Sequence, residues 1–278
     1  MKKIICCIVL SILLVLCFTS CGKNTYDEIS NENSIEGIDF SALGCEPYES
    51  TFYDDALWVT KTESDYSKSI TYFGCIDKDS NIIVPFTDKF AEVQSFSDDR
   101  AWVKFNDERK NMNAANWGII DKSGNIIRKF DVVFKGQHTK FSEGYCLAEG
   151  TAELAPPLYV VHKNGDLTQI DRDAVPQGSP FNISTINVFK DGYVLCEDET
   201  YDHHLYYIKT DGSLLILKEN GRSPLADFQN LNIYHATDFD DGQARVDFKG
   251  ADGLHYSVHI DGNGNMIDTP TPIEHMNY

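Results

Sequence analysis

Trp117-Gly118-Ile119-Ile120-Asp121-Lys122-Ser123-Gly124-Asn125-Ile126-Ile127, followed at a distance by Phe141-Ser142-Glu143-Gly144-Tyr145-Cys146-Leu147-Ala148, decides the fold. An apolar run, a Ser-Gly turn and a second apolar run make a β-hairpin, because the turn residues tolerate positive φ. The aromatic-polar-acidic-glycine step then leads into another alternating strand. Both halves recur along the chain. The aromatic half begins at Phe52, Phe96, Phe141, Phe189 and Phe239, with spacings of 44, 45, 48 and 50 residues. The turn half recurs at Asp77-Lys78-Asp79-Ser80-Asn81, Lys163-Asn164-Gly165-Asp166, Thr210-Asp211-Gly212-Ser213 and Asp261-Gly262-Asn263-Gly264. Self-similarity at such a period marks a repeat architecture, and its length suits a four-stranded propeller blade. The expected fold is all-β: a five-bladed β-propeller, with an open β-meander repeat array capped at its ends as the alternative.

The run from Trp117 to Gly124, with Phe141-Ser142-Glu143-Gly144, resembles the WG repeat, a bacterial repeat named for its Trp-Gly pair. Tyr72-Phe73-Gly74-Cys75-Ile76-Asp77-Lys78, with Val84-Pro85 and Phe96-Ser97-Asp98-Asp99, is similar, Phe73 standing in place of Trp. The resemblance is close over residues 72–150; beyond it the pair is lost, as at Leu158-Tyr159-Val160 and Tyr206-Tyr207-Ile208. It implies an all-β repeat domain on a cell-surface or secreted protein, and no particular chemistry. The family frame, a turn half followed by an aromatic half, implies four whole blades and a fifth split between the two ends of the chain, which would close a ring.

The N-terminus reads as an export signal over residues 1–20. Lys2 and Lys3 precede an apolar run from Ile4 to Phe18, too short to span a bilayer as a helix of roughly 20 residues. Phe18-Thr19-Ser20-Cys21-Gly22 resembles the lipobox of bacterial lipoproteins, with Phe18 where Leu is usual. The resemblance implies cleavage before Cys21 and a diacylglycerol on its thiol, so that the protein is exported and lipid-anchored on the outer face of a bacterial membrane. Two acyl chains hold stably where one does not. Residues 21–45 are then expected to be a flexible tether and 46–278 the repeat domain.

The 278 residues carry 24 Lys and Arg against 43 Asp and Glu, a formal net charge of −19, which excludes a nucleic-acid-binding surface. There is no Gly-x-Ser-x-Gly elbow, no His-Glu-x-x-His helix and no phosphate-cradling glycine loop. Two repeats carry insertions, 171–187 and 218–237. Insertions in a repeat array gather as loops on one face, which makes Arg172, Asp173, Arg222, Asp227, Tyr234 and His235 the candidate ligand-binding residues. Cys45, Cys75, Cys146 and Cys196 survive processing; Cys146 and Cys196 sit among apolar strand residues and read as small buried hydrophobes, with disulfide pairing as the alternative. Asp198, Glu199, Asp202, His203 and His204 read as a solvated acidic loop. Asp261, Asn263, Asn265 and Asp268 read as a hairpin turn, so no metal or cofactor is expected. The leading functional expectation is a monomeric, non-catalytic binding module for an envelope protein or glycan. The alternatives are a glycan-acting enzyme with a carboxylate pair in a propeller channel and a structural spacer.

Overall fold

The computed structural model describes residues 34–106, 116–151, 156–176, 187–197 and 204–273, and the backbone alone at Gln137. The export signal and Cys21 lie outside the described residues.

The fold is all-β, a propeller-like repeat of five antiparallel sheets, each a meander in which sequential strands pair. Blade one contains β1 (Glu46–Pro47), β2 (Leu57–Ser64), β3 (Ser69–Ile76) and β4 (Ile82–Thr87). Blade two contains β5 (Phe90–Val93), β6 (Arg100–Phe105), β7 (Trp117–Asp121) and β8 (Ile126–Lys129). Blade three contains β9 (Phe134–His138), β10 (Tyr145–Gly150), β11 (Leu158–His162) and β12 (Leu167–Gln169). Blade four contains β13 (Tyr193–Glu197), β14 (Leu205–Lys209) and β15 (Leu214–Lys218). Blade five contains β16 (Asn232–Ala236), β17 (Ala244–Lys249), β18 (His255–Ile260) and β19 (Thr271–Pro272).

In every sheet the aromatic half comes before the turn half that follows it in sequence, and in four of the five a short strand ahead of the signature Phe opens the sheet. This corrects the expected frame: Phe52 and the Asp77 turn share one sheet, Phe239 and the Asp261 turn share another, and among the described residues no blade is split between the chain ends. A local meander forms its pairs between neighbours in sequence and needs no strand from the far terminus.

The repeated residues do two jobs between blades. From blade two onward the signature Phe lies against an aromatic ring of the blade before it: Phe96 on Trp58 at 5.4 Å, Phe141 on Trp102 at 6.1 Å, Phe189 on Tyr145 at 5.8 Å and Phe239 on Tyr193 at 4.0 Å. The signature acid reaches forward to a backbone N–H in the next blade's turn. Asp54 accepts from Asp99 at 2.7 Å, Asp98 from Gly144, Glu143 from Asp191 and Gly192 at 2.9 Å each, and Asp191 from Gly242 at 2.9 Å. Four apolar cores thus join the blades in series, one and two, two and three, three and four, four and five.

The ends are capped differently. The face of blade one turned away from blade two carries Leu57, Val59 and Ile76, and Ile35, Ile38, Leu43 and the short helix α1 (Phe40–Leu43) cover it. The described part of the expected tether, from residue 34, is therefore packed on the repeat domain. In blade five the apolar Ala244, Val246 and Phe248 face blade four, and Arg245, Asp247 and Lys249 alternate onto the opposite face. Among the described residues no apolar core joins blade five to blade one.

Candidate functional site

A cavity of about 310 Å³ opens between blades four and five. Glu197, Leu205 and Lys218 line it from blade four, with His204 just before β14; Asn232, Ile233 and Tyr234 line it from β16 of blade five. Glu197, Leu205 and Lys218 form one row across three neighbouring strands, since Glu197 pairs with Leu205 and Leu205 with Lys218. The row owes Lys218 to a bulge. Leu205 opposes Lys218 while its neighbour Tyr206 opposes Ile216, so Leu217 is an extra residue in β15. A bulge re-aims the side chain beside it, and both Leu217 and Lys218 are buried.

Lys218 is 8 % exposed, and its Nζ donates to Asn232 Oδ1 at 3.3 Å, a neutral acceptor at the long end of the hydrogen-bond range. Burial holds its ammonium below the ordinary lysine range, and the nearby Glu197 carboxylate draws it partway back. His204 is fully buried at the wall. Leu205 and Ile233 supply an apolar lining, and the Tyr234 ring packs edge-on to His255 at 5.3 Å.

The residues expected to bind a ligand are not brought together. Tyr234 alone lines this cavity. Arg222 borders a separate, shallower hollow of about 630 Å³ with Ser223 and Gln229. Asp227 is structural: its Oδ2 accepts from Met266 N at 3.0 Å. His235 lies on the outer face of blade five, its Nδ1 3.3 Å from Asp247 Oδ2, where Arg245 Nε also approaches the carboxylate at 3.2 Å. Arg172 and Asp173 belong to a 3-10 turn after blade three, with Asp171 capping it through Asp173 N at 3.0 Å. The rest of that insertion, 177–186, is outside the described residues, as are Asp198, Glu199, Asp202 and His203. Asp261 accepts from the backbone N–H groups of Asn263 and Asn265, which is the hairpin turn expected there. Cys45, Cys75, Cys146 and Cys196 are free thiols, all buried.

A second cluster lies at the first-strand edge of blades one to three. Glu49 accepts from Ser95 Oγ at 2.5 Å and from Trp58 N at 3.0 Å, and Lys140 of the third repeat sits 5.0 Å over the Tyr53 ring of the first. Burial raises the Glu49 carboxyl, opposed by those hydrogen bonds and by Lys140.

No family model and no curated protein matches the chain. Among solved structures it is similar to the β-propeller domain of the Trilobed protease from Pyrococcus furiosus, with 11 % identity, 81 % of this chain, 84 % of that one and a TM-score of 0.40. It is also similar to a post-proline cleaving enzyme from Rickettsia typhi, with 13 % identity, 87 % of this chain, 40 % of that one and a TM-score of 0.38. A third is the polysaccharide lyase Uly1, with 9 % identity, 77 % of this chain, 55 % of that one and a TM-score of 0.33. The chain thus spans about half or less of the two enzymes' length. At these scores the likenesses carry no argument about activity.

Proposed function

We propose that the protein is a non-catalytic binding module of a bacterial cell envelope, held to the outer face of a membrane through a lipidated Cys21. The observation that carries the binding role is the cavity between blades four and five, where a bulge turns a lysine inward beside an apolar wall and a tyrosine. Pockets of this size with few, fixed polar groups are the usual form of a small-ligand site. The signature carboxylates Asp54, Asp98, Glu143 and Asp191 are committed to backbone N–H groups of the next blade, so these four hold the repeats together. The anchor rests on the lipobox resemblance. In-cell crosslinking with mass spectrometry of the membrane-extracted protein tests both parts. An acylated Cys21 peptide with one recurrent partner, or with bound small molecule retained, is the expected result; an unmodified N-terminus removes the anchor.

A further inference from the structure

We propose that the cavity between blades four and five binds a free α-amino acid, its carboxylate on Lys218, its ammonium on Glu197 and an apolar side chain against Leu205 and Ile233. This rests on the reading of the chain as a binding module and names the ligand class.

Two opposite charges, Glu197 and Lys218, share one cavity without pairing. Glu197 and Lys218 lie in the same row of blade four with Leu205 between them, so their backbones are two strand spacings apart, about 10 Å. Both line the cavity. The contact made by Lys218 Nζ is the neutral Asn232 Oδ1, which leaves further N–H donors of the ammonium for an incoming anion. Asn232 spends its oxygen on that bond and keeps its amide NH₂ as a second donor beside it.

A buried cation facing a neutral acceptor is costly unless something of opposite charge arrives. A carboxylate meets that need. A simple anion would also face Glu197, and a simple amine would also face Lys218. A zwitterion satisfies both at once, with a charge-assisted hydrogen bond of about 2.8 Å at each end bridging the gap that Leu205 leaves. Ile233 and Leu205 receive an apolar side chain, and Tyr234 adds a ring at the rim. The bulge at Leu217 is what builds the site: in regular alternation Leu217 would hold the place opposite Leu205, and the row would contain no lysine.

Calorimetric titration of the full mature chain with leucine, leucinamide, N-acetylleucine and glucose tests the proposal. Leucine is expected to bind, with leucinamide and N-acetylleucine each weaker by about tenfold or more, since each lacks one charge. Lys218→Met and Glu197→Gln should each weaken leucine to a similar degree. Glu197 is exposed, so its variant keeps the comparison meaningful if burial makes the lysine variant unstable. Binding of N-acetylleucine equal to leucine would mean an anion site and overturns the zwitterion. So does glucose binding without leucine binding, or an absence of heat from every probe. In those last cases a recurrent crosslinked partner still upholds the binding module, whereas no partner and no ligand removes both.

Discussion

Glu143 shows how one side chain holds two repeats together. It extends from the turn of blade three and takes the N–H groups of Asp191 and Gly192, at 2.9 Å each, from the turn of blade four. Hydrogen bonds to a charged acceptor are the stronger kind, but this one is at the surface and is screened by water. Glu143→Ala should therefore cost about 1 to 2 kcal/mol in urea unfolding, against no change for Glu36→Ala, whose side chain is exposed on the N-terminal segment. Equal midpoints for the two variants would show that the bonds between turns contribute nothing. The cysteines make the opposite case, of reactive groups rendered inert. Cys75 and Cys146 are fully buried, and burial pushes the Cys75 thiol up to about 12 and the Cys146 thiol higher still. Thiolate is the reactive form, so Ellman's reagent should find these thiols silent in the native protein and titrate them on unfolding. Rapid labelling without denaturant would contradict the burial.

At the level of the element, the Trp-Gly pair acquires a physical reason. A Cβ on Gly118 would run into the carbonyl oxygen of Arg128 on the neighbouring strand and lie 2.7 Å from the Phe105 ring. Backbone cannot retreat as a flexible side chain can, so Gly118→Ala should destabilise by about 1 to 3 kcal/mol, the range for overpacking. Phe239→Ala, which empties the 4.0 Å stack on Tyr193, should cost about 3 to 5 kcal/mol. Thermal melts of both variants test the rank order, and a milder Phe239 variant than Gly118 variant would reverse it. The aromatic and turn halves were legible because each repeats its own local pattern. Their grouping was not, since either half can begin a blade when read as letters. The staple role of the acids was equally hidden: Glu143 and Gly192 are far apart in sequence and meet only across two blades. Leu214-Leu215-Ile216-Leu217-Lys218 reads as a strand ending in a solvated lysine, and nothing in those letters announces the extra residue that turns Lys218 inward. Tyr234 and His235 were expected in an insertion loop, but residues 232–236 form β16, the first strand of blade five, because the extra length between repeats there includes a paired strand; Arg222 and Asp227, ahead of that strand, went elsewhere.

The molecule as a whole carries a net charge of −19, and its response to acid follows from where the carboxyls sit. Asp211 is held below the ordinary range by hydrogen bonds from the Ser213 side chain and backbone, Asp261 by the Asn265 side chain and backbone, and Asp268 by His259. A carboxyl depressed in the folded state adds stability that is present above its unfolded value, near pH 4, and is lost as the pH falls through the lower folded value. Glu49 runs the other way. Raised by burial, it adds stability at low pH that fades as the pH rises through its folded value. The turn aspartates outnumber it, so acid should weaken the fold. Mutual repulsion among the acids opposes this, because protonation relieves it. At 0.15 M salt the Debye length is about 8 Å, which screens repulsion between distant surface carboxylates but not hydrogen bonds within a turn. The urea midpoint in 0.15 M salt should accordingly be nearly level from pH 7 to 5 and fall below about pH 4. In about 0.02 M salt, where repulsion reaches further, the fall should be shallower. A midpoint that climbs below pH 4 in 0.15 M salt would mean that repulsion among the acids outweighs the hydrogen bonds that hold Asp211, Asp261 and Asp268.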